Sequence, residues 1–458
     1  MEGVEANKTH CIVLAYPAQG HLNPMVQFSK RLIQKGVRVT LVTTHFYCKN
    51  LRKENYNSIS IEGITDGFDE GGAMQSAEDW ETYLNKFWQV GPASLAELLE
   101  KFASSGSPAG CLVYDSFMPW ALDVAKKYEL VGAVFLTQSC AVNNVYYHVH
   151  EGLLKTPISE HTISLPGLPE LAVKDLPSFV YSPDSYPVLS KLIVDIFSSI
   201  GKADWVLCNT FYELEEEAVK FLSKVWPLRP IGPAIPSMYL DQRHQDDTEY
   251  GLSILNQNTE VCLKWLGERP KRSVVYVSFG SLASLNDEQM KEIAYGLKDS
   301  ESDFLWIVRE PDEAKLPKHF AQTLQKGLVM RWCPQLQVLA HDAVGCFFTH
   351  CGWNSTLEAI SLGVPMIAMP QWTDQTTNSK FIMDVWRVGV KVQLDERGIA
   401  KREAIKQTIK EVMEGERGKD IRENSIKWKA LSQSTFNEGG SSEKNIDDFV
   451  STLMFSPK

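Results

Sequence analysis

Short, continuous apolar runs alternate with helical stretches along most of this chain, and that alternation narrows the fold more than any other feature. "CIVLAY" (11–16) reads as a buried strand. "LNPMVQFSKRLIQKG" (22–36) reads as a helix, with Pro24 near its start, where a missing N–H costs little, and Gly36 at its stop. "VRVTLVTT" (37–44), "GCLVYDS" (110–116), "VGAVFLT" (131–137) and "DWVLCNT" (204–210) return as strands. Strands that are apolar on both faces and separated by helices predict a parallel sheet covered on each side, the doubly wound α/β architecture.

The pattern lapses over residues 229–251, where proline, glycine and charge cluster, and then resumes. "SVVYVSFGS" (273–281), "FLWIVR" (304–309), "GLVMRW" (327–332), "AVGCFFTH" (343–350), "PMIAMP" (365–370) and "GVKVQL" (389–394) predict a second sheet of the same kind. A chain of 458 residues is long enough for two cores. The expected division is a first domain over 1–236, a linker over 237–262, a second domain over 263–437 and a terminal helix over 438–458. That helix carries Ile446, Phe449, Val450 and Leu453 at helical spacing, and it either returns to the first domain or lies on the second.

Composition removes several classes of function. With 46 basic and 57 acidic residues the net charge is −11, and no basic block offers nucleic acid a footing. The polar start "MEGVEANKTH" lacks the basic stretch and apolar core expected of a signal peptide, and no apolar run approaches the ~20 residues that span a membrane. A cytoplasmic protein is expected. Its 9 scattered cysteines read as reduced thiols. A zinc site at Cys346, His350 and Cys351 lacks an evident fourth ligand.

In open α/β sheets, ligands bind beyond the carboxyl ends of the strands. "FFTHCGWNSTLEAI" (347–360) therefore stands out. A strand delivers His350, Gly352 allows a tight turn, and Trp353, Asn354 and Ser355 open a helix. Helix-start N–H groups with the positive end of the dipole behind them bind phosphate, and the His350, Asn354 and Ser355 side chains add donors. Glu358, one turn on, can accept from ribose hydroxyls. The plainer alternative is a strand-to-helix turn with Asn and Ser as caps and a buried histidine. The flanks bear on the choice. Trp332 follows a strand and can stack on a base, and Asp374 and Gln375 follow the next strand with groups suited to a sugar's hydroxyls.

From Trp332 to Gln375 the chain resembles the 44-residue signature of plant secondary-product glycosyltransferases, the nucleotide-sugar-dependent enzymes of glycosyltransferase family 1. The marks are Trp332, Pro334-Gln335, "THCGWNSTLE" (349–358), "GVPM" (363–366) and Asp374-Gln375, joined by "YPAQGHLNP" (16–24) and "VVYVSFGS" (274–281). The resemblance implies a GT-B fold, two doubly wound domains facing across a cleft. It implies that Trp332 stacks on uracil, with Cys333 and Gln335 beside it through main-chain groups. His350, Gly352, Trp353, Asn354, Ser355 and Ser281 would hold the pyrophosphate and Glu358 the ribose. Asp374, Gln375 and Trp372 would hold the sugar, and the closing glutamine implies UDP-glucose.

In the first domain His21 follows one strand and Asp115 ends another. If those strands are neighbours, the carboxylate can fix the tautomer of an imidazole that takes a proton. A helix-start histidine and a turn-forming aspartate are the plain alternatives. By resemblance His21 is the general base and Asp115 its assistant, in an inverting displacement that yields a β-glucoside and UDP. No Asp-x-Asp pair occurs in the chain, so no metal and no further cofactor are expected. Thr137 is a candidate sugar contact, against the alternative of a plain strand-end threonine.

Tyr16, Phe117, Met118, Trp120, Tyr146 and Tyr147 are candidates for an apolar acceptor pocket, though any one of them can as well be core. "LPGLPELAVKDLPSF" (165–179) resembles the branch called group L, whose acceptors are phenolics, carboxylic acids, thiohydroximates, steroids and terpenoids. The expectation is a monomeric O-glucosyltransferase acting on a small lipophilic steroid, terpenoid or phenolic hydroxyl. Its alternatives are ester formation on acids such as salicylate, or a nucleotide-sugar binder without turnover. An oxidoreductase reading fails because no Gly-x-Gly-x-x-Gly turn follows the first strand.

Overall fold

The computed structural model describes residues 9–50, 59–72, 79–248, 250, 259–281 and 283–455. The polar start up to residue 8, and residues 249 and 251–258 of the expected linker, lie outside them.

The first sheet contains β1 (His10–Leu14), β2 (Arg38–Thr44), β3 (Ser60–Ile64), β4 (Ala109–Asp115) and β5 (Val131–Leu136). A small antiparallel pair follows, β6 (Thr162–Ile163) with β7 (Leu171–Ala172). β8 (Trp205–Cys208) and β9 (Leu228–Pro230) then complete a seven-stranded parallel sheet in the order β3-β2-β1-β4-β5-β8-β9. The second sheet holds β10 (Val274–Ser278), β11 (Asp303–Ile307), β12 (Gly327–Met330), β13 (Val344–Thr349), β14 (Met366–Ala368) and β15 (Gly389–Lys391). Its order is β12-β11-β10-β13-β14-β15, again all parallel.

Alternate residues of each central strand enter cores on opposite faces. Ile12 and Leu14 point into one apolar cluster, Cys11 and Val13 into the other. The terminal helix Ser441–Phe455 closes the second of these, with Ile446, Phe449, Val450 and Leu453 packed beside Phe28 and Val13. The last helix therefore returns to the first domain, as one of the two expectations had it.

Both sheets reverse their winding at one place, between β1 and β4 and between β10 and β13. Such switch points leave a crevice at the carboxyl ends of the strands. His21 and Asp115 straddle the first crevice and Ser281 and His350 the second.

The expected strands are present with ends shifted by a residue or a few. β3, β9 and the 25-residue helix Trp80–Ser104 were not foreseen. β3 and β9 are sheet edges, short and partly polar, and Gly91 and Pro92 interrupt the helical pattern of the long helix.

Candidate active site

The first helix, α1, spans Gln19–Gln34, three residues earlier than the sequence suggested. His21 therefore lies inside its first turn, not in the preceding loop, and Pro24 falls in its second turn. Proline there cannot donate to the carbonyl four residues back, which is that of Gly20. That carbonyl instead accepts from Asn354 Nδ2 of the second domain, at 2.8 Å. The missing helix bond is replaced by one that joins the two lobes.

β4 lies beside β1, with Tyr114 paired to Leu14, so Asp115 ends next to the loop leading into α1. His21 Nδ1 is 2.7 Å from Asp115 Oδ2, and Asp115 is fully buried. The other carboxylate oxygen accepts the Phe117 N–H at 2.9 Å. An ionised carboxylate only accepts, so the imidazole proton sits on Nδ1 and Nε2 carries the lone pair. Thr137 Oγ1 stands 3.3 Å from the same Nδ1. Phe117 and Tyr16 hold the ring, with centroids 4.6 and 5.2 Å from it.

Across the crevice, β13 ends at Thr349 and the helix Trp353–Leu362 begins. Gly352 is its N-cap, and no side chain caps it. The reading of Asn and Ser as capping groups is thereby set aside, and the first N–H groups of the helix are left for a ligand. His350 is wedged between two glycines. A Cβ at Gly280 would come 2.5 Å from His350 Nε2, and one at Gly352 would come within 2.6 Å of it. Burial pushes the His350 pKa down to about 4, which keeps the ring neutral at physiological pH.

Three donors expected for the pyrophosphate are differently employed. The Trp353 indole N–H donates to the Asn209 carbonyl of the first domain at 2.6 Å. Asn354 uses Nδ2 on Gly20, and its Oδ1 accepts from Asn209 Nδ2 at 3.4 Å. Ser355 Oγ accepts from Gln335 Nε2 at 2.9 Å. These side chains tie protein to protein, while the Ser355 O–H and the second Nδ2 hydrogen of Asn354 remain available beside the main-chain N–H groups. Ser281 is exposed after β10, and its carbonyl is held by Arg309 Nη1 at 2.5 Å.

Gln335 Nε2 also donates to Glu358 Oε2 at 2.7 Å, and Tyr276 Oη donates to Gln335 Oε1 at 3.0 Å. The Gln335 side chain is thus held among Tyr276, Ser355 and Glu358. Burial, relieved in part by Gln335 and the Tyr250 hydroxyl, pushes the Glu358 pKa up to about 7. Cys333 is buried against the Tyr276 hydroxyl at 3.3 Å, and burial pushes its thiol up to about 12. Trp332 is half-buried just beyond β12. The conceivable zinc site is excluded by geometry, because Cys346 and Cys351 belong to cores on opposite faces of the sheet.

Asp374 precedes the helix Gln375–Lys380 without a side-chain capping bond, and its Oδ2 accepts from Asn378 Nδ2 at 2.8 Å. Burial pushes its pKa up to about 6, while His21 across the crevice acts electrostatically in the opposite direction. Gln375 Oε1 accepts from the N–H groups of Gln371 (2.9 Å) and Trp372 (3.2 Å), so the group it can offer a ligand is its amide NH2.

Aromatic side chains gather next to His21. Tyr16 lies 6.5 Å from both Tyr83 and Phe87, and Trp120 lies 5.7 Å from Phe87. Met118 and Tyr146, also candidates for the pocket, are fully buried in the apolar cluster that contains Tyr16, Tyr83 and Phe87. Tyr83 and Phe87 were missed, although Trp80, Tyr83 and Phe87 already stand at helical spacing in the sequence. Phe179 and Tyr186, each 5.9 Å from Trp372, were missed as well.

This arrangement belongs to enzymes that move a sugar from a nucleotide to an acceptor, and comparison with known proteins agrees. The family described as UDP-glucoronosyl and UDP-glucosyl transferase matches residues 246–432. UDP-glycosyltransferase 74E2 of Arabidopsis thaliana is 48% identical over 448 residues, covering 97% of this chain and 98% of that protein. Flavonol 7-O-beta-glucosyltransferase UGT74F1, from the same plant, is 46% identical over 98% of this chain and 100% of its own length. The structure of Os79 from O. sativa in complex with UDP is 38% identical with a TM-score of 0.91, over 97% of this chain and 100% of that one. Another structure of Os79 is a complex with U2F and trichothecene. The chain belongs to the plant UDP-glycosyltransferases of glycosyltransferase family 1, and its facing lobes form their GT-B fold. Among the described residues, no helix is long and apolar enough to cross a membrane.

Proposed function

We propose that this enzyme transfers glucose from UDP-glucose to a hydroxyl of a small lipophilic acceptor, with inversion, giving a β-glucoside and UDP. The observation that carries this reading is the Asn354–Gly20 hydrogen bond. It brings the helix N-terminus of one lobe against the first turn of α1: Asn354 is the second residue of its helix, and Gly20 is the residue before His21.

His21 Nε2 takes the acceptor's O–H proton as that oxygen attacks the anomeric carbon. Asp115 stabilises the imidazolium that forms. The bond from the anomeric carbon to the β-phosphate oxygen breaks on the opposite face, and its electron pair leaves with UDP. The uncapped N–H groups near Trp353 and Asn354 meet the charge that develops on the diphosphate. Glu358 accepts from ribose, Trp332 stacks on uracil, and Asp374 with the Gln375 amide holds the glucose. The aromatic lining around Tyr16, Phe117 and Trp120 suits a lipophilic acceptor. Both halves of the site come from one chain, which supports a monomer, and nine cysteines that are all free thiols fit a cytoplasmic protein. The helix terminus supplies the positive end that a metal would otherwise provide, so the reaction runs without a divalent cation or cofactor.

The test is an acceptor panel of phenols, steroid and terpenoid alcohols, and carboxylic acids, run with UDP-glucose and with UDP-galactose, with and without EDTA. Product mass and anomeric configuration are read by mass spectrometry and NMR. A β-glucoside on a hydroxyl, unaffected by EDTA, is the expected result. Products confined to acids would move the function to ester formation, and donor binding without any product would make the chain a binder.

A further inference from the structure

The sugar-site residues Asp374 and Gln375 sit in a loop whose backbone is strained. Thr373 has φ +55, the left-handed region, where a β-branched residue is a steric outlier held in place only by its surroundings. What holds it comes from the other lobe. The Ser178 N–H donates to the Thr373 carbonyl at 2.9 Å, and the Thr373 N–H donates to Ser178 Oγ at 2.7 Å.

The neighbours continue the pairing in antiparallel order. Thr376 Oγ1 donates to the Leu176 carbonyl at 2.6 Å, and Thr377 Oγ1 to the Asp175 carbonyl at 2.7 Å. On the other side of the clamp, Trp372 packs on Phe179 and Tyr186. Residues 372, 373, 376 and 377 are thus each tied to the first domain, and the two skipped are Asp374 and Gln375. The segment 175–186 belongs to the acceptor lobe, yet it shapes the loop that presents the sugar-binding pair.

We infer that Ser178 is a positioning residue for the donor sugar: its hydroxyl and N–H hold Thr373 in the left-handed conformation that aims Asp374 and Gln375 at glucose. The inference rests on the UDP-glucose reading above. Among the described residues no hydrogen bond joins Ser178 or Thr373 to Trp332, His350 or Glu358; the link from this loop to the nucleotide cradle is Asn378 Nδ2, which donates to Asp374 Oδ2 and to the Cys351 carbonyl.

Ser178→Ala leaves a half-buried N–H without its acceptor and the strained turn without half its clamp. The KM for UDP-glucose is expected to rise about ten-fold, the scale of one lost hydrogen bond, while the Ki of UDP as a competitive inhibitor stays within about two-fold. Ser178→Thr keeps the hydroxyl and restores most of the wild-type KM. In a Thr373→Gly background, where left-handed backbone carries no steric penalty, the Ser178→Ala effect shrinks.

An equal loss for UDP and UDP-glucose overturns the inference, as does a fall in Tm with KM unmoved, or a Ser178→Ala penalty undiminished beside Gly at 373. Those outcomes leave the proposed function standing. A wild-type enzyme that uses no UDP-sugar overturns both.

Discussion

Replacing Asp115 with Asn keeps the side chain's shape and inverts its hydrogen bonding. Asp115 is fully buried, with Oδ1 accepting the Phe117 N–H at 2.9 Å and Oδ2 facing His21 Nδ1 at 2.7 Å. In Asp115→Asn the amide oxygen stays with the Phe117 N–H, because the opposite orientation would set two donors against each other. The amide NH2 then faces Nδ1 and requires a lone pair there. The imidazole proton moves to Nε2, and the nitrogen facing the acceptor can no longer take one. Restoring the working tautomer costs a buried hydrogen bond, about 1–3 kcal/mol. Losing the charged bond to the developing imidazolium costs a further ~1.5–3 kcal/mol. Together these make about 4 kcal/mol, or roughly a 10³-fold fall in kcat at 1.36 kcal/mol per decade. Initial rates of acceptor-dependent UDP release measure it, with calorimetry showing unchanged UDP-glucose affinity. Thr137, 3.3 Å from the same nitrogen, is the one alternative partner, and adding Thr137→Val removes it. A folded Asp115→Asn enzyme within about ten-fold of wild type refutes the tautomer argument, since general-base catalysis of this kind is worth about 10²–10⁴.

Pro24→Ala restores a helix N–H aimed at the Gly20 carbonyl and removes proline from the second turn of α1, so Tm rises. The carbonyl then serves two donors and its bond to Asn354 weakens, so kcat/KM falls about three-fold, the scale of part of one hydrogen bond. A higher Tm with unchanged kinetics would mean the carbonyl serves both without loss. Glu358→Gln tests the buried carboxyl. Its folded pKa of about 7 lies above the unfolded value near ~4.3, so the folded chain holds that proton more tightly. The associated stability is fully present below the unfolded pKa and is lost as pH rises through about 7. The neutral variant escapes this loss, so its Tm relative to wild type climbs from pH 5 to pH 8 while UDP affinity drops. A Tm difference that does not change with pH contradicts the assignment.

The central strands were legible because continuous apolar runs such as "SVVYVSFGS" fit only a sheet buried on both faces. The edge strands Ser60–Ile64 and Leu228–Pro230 were not, since an edge needs little apolar surface. The site residues were legible as a set: His21 and Asp115 meet, and His350, Glu358 and Asp374 lie where strand ends put them. Their individual employment was not. Whether Asn354, Ser355 and Trp353 spend their side chains on phosphate or on protein depends on how the lobes sit together, and no local pattern encodes that. The position of His21 within α1 is not legible locally, because Pro24 looks like a residue of a first helical turn. In fact the helix runs through it, using Asn354 to satisfy the carbonyl that proline leaves open. Ser178 could not be found in sequence at all, because its importance comes from the backbone of Thr373, 195 residues away.

The account stands on a proton-accepting imidazole and a separate nucleotide cradle that meet in one crevice. His21→Ala tests this most directly, with UDP-glucose affinity measured by calorimetry and glucoside formation measured on the same preparation. The account predicts donor affinity close to wild type and glucoside formation reduced about 10²-fold or more. Undiminished turnover, or donor affinity lost in step with turnover, would contradict it.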